Sequence, residues 1–305
     1  MITSEKLGYR VEECTFDSAR DTWQALLPLS ATNTIFLTPG WQQVWWRHFQ
    51  DQRDLMLLTV HQGDAVVGVA PMTRDRAKIS LVGSKDVCDY LDFVVPEAHT
   101  SGALSALFDH LDPLDWRTLV LHSLPGESPT LPALQRLAQE RGYTAAVDQE
   151  DVCPRMDLPG DWETYLGTLR KKDRHELRRK LRRLEGAGEV RYYAAGDPAS
   201  LDQDMTDFFR LHRMSMHDKA AFMDAPMEAF FREMMSSHIG DGTGRLLLLE
   251  VDGQRAAAIF CFDYSGKRLL YNSGYDPQFS SLSVGLLLKA HAIRDAIECG
   301  MSQYD

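Results

Sequence analysis

Ser281-Leu-Ser-Val-Gly285-Leu286 places a small residue at every second position directly ahead of an apolar stretch of helical character. The first turn of a helix presents unpaired backbone N–H groups and about half a positive charge, so a start free of bulk can hold an anion such as phosphate. Serines and a glycine at a helix start also serve as plain caps, and both readings stand at this point. A second group of polar residues, Arg213, His217, Asp218 and Lys219, falls where the chain turns between two helical stretches, a place from which side chains can face a ligand. Metal chemistry finds less support. His212 and His217, five apart, diverge by about 140° on a helix, too far for two ligands on one ion. The cysteines (Cys14, Cys88, Cys153, Cys261 and Cys299) are odd in number and scattered without metal-ligand spacing, and read as buried free thiols.

The elements that must position the serine–glycine loop read strand, turn, strand, turn, strand, loop, helix, strand. Apolar runs at 245–251 and 256–262 are separated by Asp252-Gly253, and a third strand at 267–275 follows Ser265-Gly266. Asp276-Pro277 halts that ladder, and residues 280–300 form a helix with a serine-rich start and a glycine stop. The last strand has barely begun when the sequence ends at Ser302-Gln-Tyr-Asp305, so the expectation is that either a neighbouring segment completes the sheet or the chain is shortened and its active site incomplete.

The first half repeats this order. Strands are expected at 9–16, 55–61, 65–71, 78–82, 90–95 and 118–122, and helices at 17–27, 41–49, 101–111 and 131–141. Matching Leu58-Thr-Val-His-Gln-Gly-Asp-Ala against Leu249-Glu-Val-Asp-Gly-Gln-Arg-Ala suggests a degenerate internal duplication with its boundary near residue 155. Trp41 opens an aromatic helix that either covers a sheet edge or lines a pocket between domains. In the strand at 90–95, Tyr90 and Asp92 point to one face and Asp89 to the other, so one carboxylate is placed to meet a cationic acceptor. Between the halves, strands are expected at 143–147 and 152–158, then a continuous helix at 162–185 capped by Asp161. A strand at 189–194 and helices at 200–217 and 227–239 follow, the helices rich in methionine and phenylalanine at core spacing.

At 305 residues, with 44% hydrophobic and 25% charged residues, the composition is that of a soluble globular chain, and the length suggests two domains. A net charge of -11 argues against nucleic-acid binding by the whole surface, yet residues 170–183 carry nine basic and two acidic side chains, a local +7. No apolar run has signal-peptide or membrane-spanning length, so cytoplasm is the expected compartment.

The strand–loop–helix order, with Asn272-Ser-Gly-Tyr275 ending the third strand, resembles the core of the GNAT acyltransferase superfamily. That resemblance implies an acyl-coenzyme A cofactor. Asn272, Ser273 and Gly274 would lend backbone groups to the pantetheine arm, and Ser281, Leu282, Ser283, Val284, Gly285 and Leu286 would receive the pyrophosphate. The family loop usually reads Gln/Arg-x-x-Gly-x-Gly/Ala; in Ser280-Ser-Leu-Ser-Val-Gly285 a serine replaces the first glycine. Phe36-Leu-Thr-Pro-Gly-Trp41 and the helix to Phe49, Asp89-Tyr-Leu-Asp92, the basic helix, Tyr275-Asp-Pro-x-Phe and Leu282-Ser-Val-Gly-Leu-Leu287 together resemble bacterial tandem-GNAT proteins of the cellulose-biosynthesis-associated type, FemAB-like in architecture. The implied fold is α/β, an α+β mixed sheet in each of two tandem GNAT-like domains. Residues 1–155 would be a degenerate copy and 156–305 the copy with the acyl-coenzyme A site.

Such a protein would move an acyl group, typically acetyl, to an amine or hydroxyl of a small molecule or cell-envelope precursor. Proton transfer needs a base, for which Asp276, Asp263, His212 and His217 are candidates, and an acid, for which Tyr275 or Tyr271 would serve. Asp276 is equally suited to hold the turn before Pro277, and Tyr271 to pack on the sheet. Trp41, Asp89, Tyr90, Asp92 and Arg213 are the candidates for acceptor binding. Two other classes of function stand beside this one. A FemX-like transferase would use aminoacyl-tRNA and lay it on the basic helix, although the long helical hairpin of FemX-type enzymes is missing from the sequence; a non-catalytic tandem module would bind a partner without turnover.

Overall fold

The computed structural model describes residues 8–197 and 199–305, with the His217 side chain outside the described set. The chain divides into two compact units, Met1–Val152 and Cys153–Asp305.

The first unit runs β1 (Tyr9–Glu13), α1 (Phe16–Leu26), α2 (Pro39–Phe49), β2 (Asp54–Gln62), β3 (Ala65–Asp75), β4 (Lys78–Leu81), α3 (Thr100–Leu111), β5 (Thr118–Val120) and α4 (Thr130–Arg141). Its sheet is ordered β1-β2-β3-β4-β5, antiparallel except for the parallel pair β4–β5. The expected strand at 90–95 does not form; this stretch is irregular, with one bridge from Val94 to Val69. Asp92 supplies the reason. Its buried carboxylate accepts from the hydroxyls of Thr32 at 2.6 Å, Ser128 at 2.6 Å and Thr130 at 2.7 Å and from the Phe93 N–H at 2.8 Å. Those bonds, three of them from residues distant in the chain, satisfy the carboxylate where the backbone leaves the ladder. Burial raises its pKa, and the four donors pull the other way. Residues 143–147 likewise form no strand: they are exposed along their whole length, and no strand pairs with them among the described residues.

The second unit runs β6 (Met156–Asp157), α5 (Trp162–Thr168), α6 (Lys171–Glu185), β7 (Val190–Ala194), α7 (Leu201–Ser215), α8 (His217–Phe222), α9 (Ala225–His238), β8 (Gly244–Val251), β9 (Gln254–Tyr264), β10 (Lys267–Tyr275), a 3-10 turn at Pro277–Leu282, α10 (Val284–Glu298) and β11 (Gln303–Tyr304). The sheet order is β6-β11-β10-β9-β8-β7, with β10–β11 parallel and the other pairs antiparallel. The segment that completes the sheet beyond β11 is therefore β6. Asp161 caps α5 through the Thr164 N–H, but the helix does not continue to residue 185. Leu169 and Arg170 adopt extended backbone angles, and Gly167-Thr168, both poor helix formers, mark the break in the sequence.

The same strand order recurs in the two sheets, and the hairpins share a defect. Val60 pairs with Gly68 but His61 with Val66, leaving Val67 as an extra residue; Leu249 pairs with Ala257 but Glu250 with Arg255, leaving Ala256. Superimposing these bulges puts Val60, not Leu58, at the position of Leu249. The sequence match was thus two residues out of register, a slip that preserves the buried face and so leaves no trace in the hydrophobic pattern. The copies differ in the strand before the long helix: β4 has four residues where β10 has nine.

Alternation along the second sheet sends Leu247, Leu249, Ile259 and Cys261 to a core with Leu184 of α6 and Val284, Leu287 and Leu288 of α10. On the opposite face Phe208, Phe230 and Phe231 of α7 and α9 pack with Phe260 and Tyr271. The methionine–phenylalanine helices are core helices, apart from Met214 at the end of α7 and Met216 just past it, which are exposed. Gly274 of β10 lets α7 approach: a Cβ there would overlap the backbone of Leu211 and His212. Gly274→Ala is expected to cost about 1–3 kcal/mol of stability, as overpacking does, seen as a lower midpoint of urea unfolding at unchanged m-value. Of the cysteines, Cys88 and Cys261 are buried, whereas Cys299 is exposed, contrary to expectation. No helix among the described residues is long and apolar enough to cross a membrane.

Candidate active site

The loop between β10 and α10 is built from its own polar residues. Asp276 caps the 3-10 turn, accepting from the Gln278 backbone N–H at 3.0 Å and side-chain amide at 2.9 Å, with Arg210 3.7 Å away. Both oxygens are engaged in holding the turn. Ser283 takes the left-handed conformation (φ +59°) at the N-cap of α10, so the chain reverses sharply into the helix. Its own side chain makes no cap bond to the helix. Instead Lys180 Nζ donates to Ser283 Oγ at 3.1 Å, and Arg183 Nη1 donates to the Ser281 carbonyl at 3.0 Å. These two cations lie three apart on α6, one turn of the same helix, whose Leu177, Leu181 and Leu184 anchor it to the core. Gly285 has a packing reason of its own: a Cβ there would sit 3.2 Å from the Tyr275 ring.

The strand before this loop has an open edge. β11 pairs with β10 at Lys267 and Arg268, and Leu270 N–H donates to Asp305 O at 2.9 Å; past this point no strand lies on that side of β10 among the described residues. Leu270 pairs with Cys261 and Asn272 with Phe260, so Tyr271 is an extra, bulged residue. The bulge resets the alternation and turns both Asn272 and Gly274 toward α7. It also points the N–H and carbonyl of Ser273 away from β9, toward the open edge.

Asn272 Oδ1 accepts from the Ser273 N–H at 3.1 Å and lies 2.7 Å from His212 Nε2. Because that oxygen is already an acceptor for a backbone N–H, His212 must donate from Nε2, which leaves Nδ1 as the lone-pair nitrogen. Nδ1 is buried and has no hydrogen-bond partner among the described residues. Burial, then the neighbouring Lys219 charge, push the His212 pKa down to about 4, so the ring is neutral at pH 7. Lys219 Nζ donates to the Ser273 carbonyl, and its own pKa is lowered, by burial first and then by Lys289.

Residues 171–305 match the acetyltransferase (GNAT) domain model. These residues form a GNAT-type acetyltransferase domain. Solved structures extend the likeness to the whole chain at the level of fold. FemX superposes with a TM-score of 0.64 at 13% identity, covering 97% of this chain and 88% of that one. A tandem GNAT protein from the clavulanic acid biosynthesis pathway gives 0.51 at 15% identity, covering 97% and 88%. L-PGS from Bacillus licheniformis gives 0.51 at 12%, covering 93% and 74%. No curated protein matches the chain by sequence. The fold is thus mixed α/β with two tandem GNAT-like units.

The GNAT domain brings together His212, Asn272, Ser273 and Gly274 on one side of the β10 bulge, and Ser281, Leu282, Ser283, Val284 and Gly285 at the start of α10, where Leu286 is exposed. Other sequence candidates have different duties. Arg213 donates twice to the Met223 carbonyl and pairs with Glu228, tying α7 to α9. Asp263 forms a two-pronged pair with the fully buried Arg268, both bonds 2.7 Å, and Arg268 also holds Asp295 at 2.6 Å. Tyr271 stacks on Phe231, and Tyr275 packs against the α10 core. His217 opens α8, its side chain lying outside the described residues. In the first unit Trp41 is wholly buried, edge-on to Phe36 at 4.8 Å, and packs as a core residue of that unit. Asp92 is consumed by its three hydroxyls, Tyr90 is buried, and Asp89 is exposed. Sequence reasoning passed over Lys180 and Arg183, which it treated as two charges among nine; the i,i+3 spacing beside the leucine stripe was their signal, but nothing local names the loop they reach.

Proposed function

We propose that this protein is an acyl-coenzyme A-dependent acyltransferase that moves an acyl group, acetyl in the simplest case, to an amine or hydroxyl of a small molecule or envelope precursor. The observation that carries this reading is the convergence of Lys180 and Arg183 on the Ser281–Ser283 turn at the start of a fifteen-residue helix. Two cations and a helix N-terminus in one place suit a diphosphate. The bulged, open edge of β10 directly before that turn suits an extended amide-bearing arm, which can pair with backbone groups as an added strand. Coenzyme A would bring both, with the acyl group as a thioester.

In this reading Lys180, Arg183 and the first N–H groups of α10 bind the diphosphate, and Ser273 orients the arm. His212, a neutral ring with its lone pair on Nδ1, is the group assigned to accept the proton that the attacking amine or hydroxyl must lose, which requires the buried Nδ1 to become accessible when the donor binds. Asn272 holds that tautomer. The first unit, with its short β4, is read as the copy without a cofactor site. Acetyl-coenzyme A at 100 times its dissociation constant should stabilise the fold by about 2.7 kcal/mol and raise the melting temperature by several degrees; no shift at millimolar concentration would remove the cofactor from this account.

A second reading rests on Lys171, Lys172 and Arg182 of α6, which are exposed and have no carboxylate partner among the described residues. Together they suit a phosphate backbone, as in an aminoacyl-tRNA donor. Binding of tRNA that weakens steeply with salt, in the absence of any effect of coenzyme A, would favour it.

A further inference from the structure

The two backbone groups of Ser273 that face the open edge of β10 are not left to solvent. Its N–H is taken by the side chain of the preceding residue, Asn272 Oδ1, at 3.1 Å, and its carbonyl by Lys219 Nζ from the six-residue helix α8. A strand edge is ordinarily satisfied by another strand or by water. Here two polar side chains reproduce what a pairing strand would supply, one acceptor for the N–H and one donor for the carbonyl. A secondary amide carries the same pair of groups.

We propose that Lys219 and Asn272 form a displaceable plug: they close the acyl-donor edge of β10 when the site is empty, and the amide of the incoming pantetheine arm takes Ser273 from them. This rests on the acyl-coenzyme A reading above. The plug explains why a lysine that is half-buried, with Lys289 nearby and no carboxylate on it among the described residues, is held against a main-chain carbonyl. It links donor binding to the base as well. When Asn272 gives up the Ser273 N–H, its amide is held only by His212, so donor binding loosens the contact that fixes the imidazole. Lys219, once released, is a cation at the edge of the site, free to meet an anionic group of the second substrate.

A closed state that must open before binding lowers apparent affinity by the fraction of molecules already open. Removing the lysine ammonium should therefore tighten binding of any ligand that needs the edge and leave other ligands alone. The probes are coenzyme A, which has the pantetheine arm, and adenosine 3′,5′-bisphosphate, which lacks it, each titrated calorimetrically into the wild-type chain, Lys219→Met and Lys219→Arg. The expected result is that Lys219→Met binds coenzyme A about tenfold more tightly, a change of about 1.4 kcal/mol, with adenosine 3′,5′-bisphosphate unchanged. Lys219→Arg, which keeps a donor, should stay near wild type and shows that the site is folded. Equal affinity of wild type and Lys219→Met for coenzyme A, or weaker binding by the variant, overturns the plug while leaving the acyl-coenzyme A reading in place. Failure of coenzyme A to bind any of the three overturns that reading and the plug with it.

Discussion

His212→Gln is expected to lower kcat by about 10²- to 10⁴-fold, the usual cost of removing a general base, with coenzyme A still bound. Glutamine is the informative replacement because its amide N–H can still donate to Asn272 Oδ1, so the strand edge keeps its arrangement while the titratable lone pair is lost. A variant that turns over at the wild-type rate would show that the proton goes elsewhere, to water or to a group of the acceptor. The pH dependence gives an independent check. With its pKa near 4 in place of 6.5, His212 stays unprotonated down to mildly acidic pH, so the acid limb of kcat/KM should lie near pH 4 and no limb should appear near 6.5. Stability follows the same sign. The unfolded chain takes up the proton first as pH falls, so the wild type should lose stability between about pH 6.5 and 4 and stay level above that window. His212→Gln lacks this contribution, and urea midpoints measured at pH 5 and pH 7 should differ less for the variant than for the wild type.

Much of the frame was readable from the sequence because it depends on local signals. The short apolar runs and Asp-Gly and Ser-Gly turns placed β8, β9 and β10 within two residues, and the helix start at Ser281–Gly285 was visible as small residues ahead of an apolar run. What failed depended on long-range partners. Asp92 looks like a strand residue until Thr32, Ser128 and Thr130, more than thirty positions away, are known to converge on it. The bulge at Tyr271 has no sequence signature, yet it decides that Asn272 faces His212. The same limit applied to α6, where the leucine stripe was legible but the destination of its cations was not: Lys180 and Ser283 are 103 residues apart in the chain.

That contact underlies the other large effect. Lys180→Glu with Arg183→Glu should weaken coenzyme A and adenosine 3′,5′-bisphosphate alike by at least about 100-fold, because each native cation contributes a hydrogen bond to a charged group, roughly 1.5–3 kcal/mol apiece. The neutral pair Lys180→Gln, Arg183→Gln should fall between the reversal and the wild type, and the dependence of affinity on salt should flatten in the same order, since fewer protein charges face the ligand. Stability should change little: Arg183 is exposed, and the Lys180–Glu176 contact is 3.9 Å, the range in which surface pairs contribute about 0–1 kcal/mol. The same experiment separates two uses of one helix. Reversing Lys171, Lys172 and Arg182, which make no hydrogen bond to the loop among the described residues, should leave coenzyme A affinity intact if α6 serves the diphosphate through Lys180 and Arg183 alone. If both triple and double reversals weaken coenzyme A equally, long-range attraction by the whole +7 helix, and not contact at the turn, is what holds the ligand. A loss of tRNA binding in the triple variant, with coenzyme A inert throughout, would instead make α6 the surface for a nucleic-acid-borne donor.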